Sequence, residues 1–160
     1  MFSELWPTLE GSALAARIGE SWWFPLLESI HVLTAMFVVG WILMVDLRLV
    51  GLAARRTPFS RMSEEMLPWI WAAFGVSVVA GIGMFMTRAS WYIENPAFRI
   101  KLLLLMLAAI NMLVFQFWIA RSIASWDTAR PVLSARIAGA ASIVIWAGVT
   151  LAGRWTGHLS

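Results

Sequence analysis

The sequence predicts an all-α integral membrane protein: an antiparallel bundle of four transmembrane helices preceded by a short N-terminal interfacial helix. Three observations predict it. Apolar residues make up 61% of the 160 and charged residues 13%, against about 45–50% and about 25% in a soluble domain. The apolar residues gather into four runs of the length that crosses a hydrocarbon core, about 20 residues. Basic residues and tryptophans collect at the ends of those runs, where a cation anchors and an indole has one wet edge and one dry face. At this length a single membrane domain covering 1–160 is expected.

The opening stretch, "MFSELWPTLEGSALAARIGES", places two acids before its first base. It lacks the apolar core of a secretory signal. Leu14 and Ile18, four apart with Ala15 between them, predict a short amphipathic helix lying on the membrane surface. The spans are expected at about 22–45, 67–87, 100–120 and 137–153. All four should be helices, because hydrocarbon leaves a backbone no partner outside its own segment, and the alternating pattern of a barrel is missing. Pro68 suits the first turn of the second span. Pro96 and Pro131 fall in the turns before spans three and four. Ala73, Ser77 and Gly81 on span two, and Ala138 and Ser142 on span four, recur every four residues. Small residues at that spacing let helix backbones approach closely.

Basic residues orient the bundle. Loops one and three hold seven, namely Arg48, Arg55, Arg56, Arg61, Arg121, Arg130 and Arg136, and the other side holds five. The bias predicts a multi-pass protein of the bacterial inner membrane, with those loops cytoplasmic and both termini periplasmic. The net charge of +3 is no nucleic-acid signature, since the bases sit at span ends rather than in one patch. The chain has no cysteine, which excludes disulfides, thiolate metal sites, iron–sulfur clusters and thiol catalysis. It shows no phosphate loop, nucleophile triad or carboxylate pair, so no catalytic residue is assigned.

The informative residues are polar groups inside apolar runs. Glu28 and His31 are three apart and share a helix face. Asp46 follows Glu28 by eighteen residues, five turns of about 3.6 residues, so it joins that face. An ionisable group in mid-membrane costs about 2.5–3.5 kcal/mol, which makes it a functional candidate by default. At about 1.5 Å rise per residue, His31 lies roughly 13 Å inside Trp22, and Asn111 roughly 15 Å inside Lys101. One layer of His31, Asn111, Trp146 and the Gly81–Gly83 stretch is therefore expected. Met84 and Met106 would lie one turn further out.

Three readings of His31 stand side by side. It is a structural hydrogen-bonding residue, a haem ligand, or a copper ligand helped by the thioethers of Met84, Met86 or Met106. Neutral imidazole is a usual axial ligand, and imidazole with soft sulfur suits Cu(I). Glu28 would orient the ring through its second nitrogen. "ESIH" also fits half of a di-iron motif, but Glu28 is the sole carboxylate inside the expected bilayer core, and that motif needs more. His158 lies beyond the last span, too far along the membrane normal to share an iron with His31. Lys101 either snorkels to the head groups or reaches inward to an anion.

The stretches "ESIHVLTAMFVVGWILMVDLRLVG", "NPAFRIKLLLLMLAAINMLVF" and "GRWTGH" resemble a bacterial family of four-span membrane proteins of unknown function, over nearly the whole chain. More remotely, the span-one His and the "NP.F..K" opening of span three are similar to copper-resistance D proteins and to the haem-associated membrane protoporphyrinogen oxidase. His31 and Lys101 are the matching positions. The oxidase pattern has further histidines where this chain has Asp46 with Arg48, and Asn111. The resemblance thus implies a scaffold and one ligand position.

The leading expectation is haem b binding for electron transfer, to or from quinone. His31 would be the axial ligand, Glu28 its orienter, Lys101 an anion partner and Asn111 a neighbour in the same layer. The alternative is copper binding or transfer by His31 with Met84 or Met106, serving a periplasmic redox or copper partner. A third reading is a cofactor-free anchor subunit of a larger complex. A homo-oligomer is compatible with all three.

Overall fold

A computed structural model describes residues 4–54 and 56–158. Every regular element among them is helical. Four helices are long and apolar enough to cross a membrane. Their large apolar side chains point outward in number, Leu103, Phe117 and Val144 among them. That arrangement suits a lipid solvent, where outward apolar surface carries no hydration cost.

The expected interfacial helix is two short helices, α1 (Leu5–Glu10) and α2 (Ala13–Gly19). Ser12 separates them and caps α2, its hydroxyl accepting the Ala15 N–H at 3.2 Å. Ala15 and Ile18 are buried while Leu14 is exposed. α2 packs on the first and second spans at the end of the bundle shared with α1, α5 and the close of α8, hereafter the terminal end.

The first span, α3 (Trp23–Val50), runs five residues past the expected end. Gly51 stops it: its φ is +86°, and its N–H bonds back to the Leu47 and Arg48 carbonyls. Only glycine adopts that left-handed geometry without strain. The second span, α4 (Phe59–Met86), begins well before the expected 67, so Pro68 lies inside the helix and not in its first turn. The early start is made possible by a cap from a distant loop. Asp127 accepts the Phe59 N–H through its carbonyl at 3.1 Å and the Ser60 N–H through Oδ1 at 2.8 Å.

A short helix, α5 (Ala89–Glu94), leads to the third span, α6 (Pro96–Val114). Asn95 caps α6 by accepting the Ala97 and Phe98 N–H groups at 3.0 and 3.2 Å. Its amide also donates to the Thr156 carbonyl at 3.0 Å, which ties the start of span three to the end of span four. The helix continues through a π turn (Phe115–Ile119), a 3₁₀ turn (Ala120–Ser122) and α7 (Ile123–Trp126). Phe115 and Ile119, at the two ends of the π turn, both reach the core. The last span, α8 (Leu133–Thr156), extends beyond the expected 137–153 at both ends.

Around the bundle the order is α4, α3, α8, α6, and the backbones of α4 and α6 stay further apart than the other neighbours. Helix α4 meets α6 and the π turn that follows it through rings. Phe85 stacks on Phe98 at 5.7 Å, and Phe59 meets Phe115 at 5.6 Å. The densest core lies opposite the terminal end, at the far end. Leu49, Phe59, Ile119, Trp126, Ala135 and Ala138 are buried together there. α3 and α8 approach most tightly at Gly139, where a Cβ would stand 2.8 Å from Leu49 Cβ and 3.1 Å from the Asp46 carbonyl oxygen.

Candidate cofactor site in the terminal half

His31 stands on the ninth residue of α3, roughly 12 Å from its start at about 1.5 Å per residue. Its ring faces α4. Nδ1 lies 2.7 Å from the Ser77 carbonyl oxygen and 3.1 Å from Ser77 Oγ. A carbonyl oxygen only accepts, so the proton is on Nδ1. In the neutral ring that leaves the lone pair on Nε2, for which no hydrogen bond is formed among the described residues. Helix α4 makes room for this arrangement with glycine. A Cβ at Gly81 would stand 3.2 Å from His31 Cε1, and one at Gly83 would stand 2.9 Å from Leu27 Cδ1. Leu27 and His31, one turn apart on α3, thus seat on the two glycines of α4.

Lys101 lies across the bundle on α6. Its side chain runs along α8, with Cδ, Cε and Nζ 3.7–3.8 Å from the Cβ position of Gly153. Among the described residues no carboxylate pairs with it. The terminal half therefore holds, among the described residues, an imidazole whose Nε2 makes no hydrogen bond and, on α6, a partly buried lysine without a carboxylate partner.

The other expected residues are placed differently. Glu28 is exposed, and the hydrogen bond expected from it to His31 is made by the Ser77 carbonyl instead. Its charge bears on Tyr92, whose hydroxyl is pushed above its ordinary value chiefly by burial. Asn111 is the middle residue of the Pro96–Trp126 span, and its amide donates to the Ala138 carbonyl at 3.1 Å. It therefore sits with the far-end core and not in the His31 layer. Met106 is 56% exposed on the outer surface. Met84 and Met86 are partly buried on α4, and His158 is exposed. Among the described residues no three His, Asp or Glu side chains gather in a metal-binding group.

Sequence reasoning missed a second polar centre, at the far end. Arg48 was expected to anchor in head groups, yet it is 1% exposed. Its Nε donates to the Thr57 carbonyl at 3.0 Å, and Nη2 donates to the Asp127 and Ala129 carbonyls at 2.7 and 3.5 Å. One guanidinium thus ties loop one to loop three. The Asp127 carboxylate accepts from the Ser60 N–H and, at 2.7 Å, from the Ser60 hydroxyl. These bonds hold its carboxyl below the usual carboxylate range, with the Arg48 charge adding to the effect. Asp46 is also buried, beside Ser142, and its Oδ2 has no hydrogen-bond partner. The signal available beforehand was "DLRLVG" itself, with an acid and a base two residues apart before a glycine that ends the helix.

No curated protein and no solved structure matches this chain. A model of a family of unknown function, DUF6644, matches residues 17–159. That range holds all four spans, both seated glycines, His31, Lys101 and the Arg48 clasp. The chain belongs to the family of unknown function DUF6644.

Proposed function

We propose that this protein binds haem b in the bacterial inner membrane and passes electrons, with quinone as a partner of fitting solubility. The observation that carries the reading is the bond from His31 Nδ1 to the Ser77 carbonyl. A ligating histidine commonly donates its second ring nitrogen to a carbonyl, which sets tautomer and ring orientation. His31 has that arrangement on two packed helices, with Nε2 as the donor atom. The Lys101 ammonium supplies a charge complement for a propionate.

The residues fit a group that takes one imidazole nitrogen. Ser77 and Gly81 hold the ring, Lys101 would neutralise an anionic substituent, and the lipid-facing spans would keep water away. Bound haem would supply one-electron exchange. Copper is less well served, because Met106 faces outward and leaves Met84 as the sulfur of the expected pair that is still turned inward in part. The arginine excess of loops one and three supports a cytoplasmic far end and periplasmic termini.

The test is the visible spectrum and metal content of protein purified in mild detergent from a haem-replete host. A Soret band that His31→Ala abolishes supports the proposal. Stoichiometric copper without that band would replace it with the copper reading. A colourless, metal-free protein that co-purifies with a partner would leave the anchor reading.

A further inference from the structure

The far end carries a cavity, independent of the His31 site. It has a volume of about 540 Å³, in the range of small-ligand pockets. Loop one, loop three and the first turn of α8 border it and leave it open on one side, and its lining includes Arg48, Arg130, Arg136, Thr128 and Pro131. Among the described residues no Asp or Glu lines it. Nor does any carboxylate pair with those arginines among the described residues. The nearest acids along the chain are Asp46, which is buried beside Ser142, and Asp127, which spends both carboxylate oxygens on Ser60.

Three further features concentrate positive charge at this place. Arg136 has a buried Nε with no hydrogen-bond partner, a costly condition for a donor that water cannot reach. It sits near the start of α8, where the helix dipole already presents its positive end. The N-cap Val132 makes no side-chain bond and the first turn has no acid, so the leading N–H groups lack the usual anionic complement. A cation at this end of a helix is unfavourable unless an anion joins it. Arg48 has its own work on three carbonyls, so Arg130 and Arg136 are the arms left to grip a ligand.

We propose that this cavity binds a phosphate group, clamped by Arg130 and Arg136 against the start of α8. Guanidinium forks match the paired oxygens of a phosphate. Two sources present the same chemistry at a membrane surface: the headgroup of an anionic phospholipid, and a soluble phosphate or phosphate ester.

The test uses the full chain in neutral detergent, followed by tryptophan-fluorescence melting. One arm titrates phosphatidylglycerol doped into the micelle, and the other titrates inorganic phosphate. Each is run on wild type, Arg130→Gln, Arg136→Gln and the control Arg121→Gln, an exposed arginine outside the cavity. A rise in melting temperature should saturate in wild type and in the control. It should need about tenfold or more ligand in either cavity variant, as expected for one lost bond to a charged group. Stabilisation by the lipid alone assigns a headgroup, and stabilisation by phosphate as well assigns a soluble ester. Should Arg136→Gln fail to fold, the exposed Arg130 carries the test. No stabilisation in either arm, or equal stabilisation of all four proteins, overturns the proposal.

Discussion

Replacing Arg48 with methionine removes a side chain that joins loop one to loop three. The guanidinium is 1% exposed and makes two short bonds, to Asp127 O at 2.7 Å and Thr57 O at 3.0 Å. The third, to Ala129 O at 3.5 Å, is at the limit of a hydrogen bond. Hydrogen bonds to a charged group contribute about 1.5–3 kcal/mol each, so the two short ones are worth about 3–6 kcal/mol. Two considerations lower the net loss. Asp127 O keeps the Phe59 N–H at 3.1 Å, and Thr57 is exposed, so neither carbonyl is orphaned. Removing a buried charge also recovers part of its desolvation cost. The expected net loss is about 2–4 kcal/mol, on the order of 5–15 °C in melting temperature by soluble-domain scaling. Lysine should lose about half as much, because a single ammonium cannot span carbonyls on both loops. The assay is tryptophan-fluorescence melting in detergent, with limited proteolysis of loop three as a local readout. A methionine variant that melts with wild type, or a lysine variant that is indistinguishable from it, would refute the clasp.

Other expectations follow from the same geometry. Gly139→Ala drives a methyl into Leu49 Cβ and the Asp46 carbonyl, both fixed to a helix backbone, and should destabilise by about 1–3 kcal/mol. Gly75→Ala meets nothing within 4 Å and should be neutral or stabilising by up to about 1 kcal/mol. Chemical denaturation of the pair compares the two. Asp127 has its carboxyl depressed in the folded state. Its stabilisation is present above the unfolded-state value, near pH 3.9, and is lost as the pH falls through the lower folded value. Asp127→Asn should therefore lower stability at neutral pH and flatten the acid limb of a melting-temperature profile. Gly81→Ala should push the His31 ring off the Ser77 carbonyl. It should weaken haem binding in a spectral titration while changing the melting temperature of the haem-free protein little.

The spans were legible because hydrocarbon selects for long apolar runs, and that signal is local. Their ends were less so. Helix α4 starts at Phe59 because Asp127, sixty-eight residues away, caps it, and no local pattern announces a cap from another loop. Asn111 was placed by counting from Lys101, but the helix begins earlier, bends its ladder through a π turn and runs to Trp126, which puts Asn111 at mid-span. At the candidate site, His31 was legible as an imidazole out of place in lipid. The identity of its partner was not. The carbonyl of Ser77 is a backbone group, invisible to any search for polar side chains, and the Gly81 seat becomes meaningful only when α3 is laid on α4. Arg48 was misjudged because span-end bases ordinarily snorkel, whereas here the loops fold over the guanidinium.

The functional account turns on His31 Nε2 as a donor atom held in place by Ser77. Titrating haem into purified haem-free protein tests this most directly, comparing wild type with His31→Gly in the absence and presence of free imidazole. The account predicts a saturable Soret shift in wild type, its loss in the variant and its return with imidazole. Identical spectra for wild type and variant would contradict it.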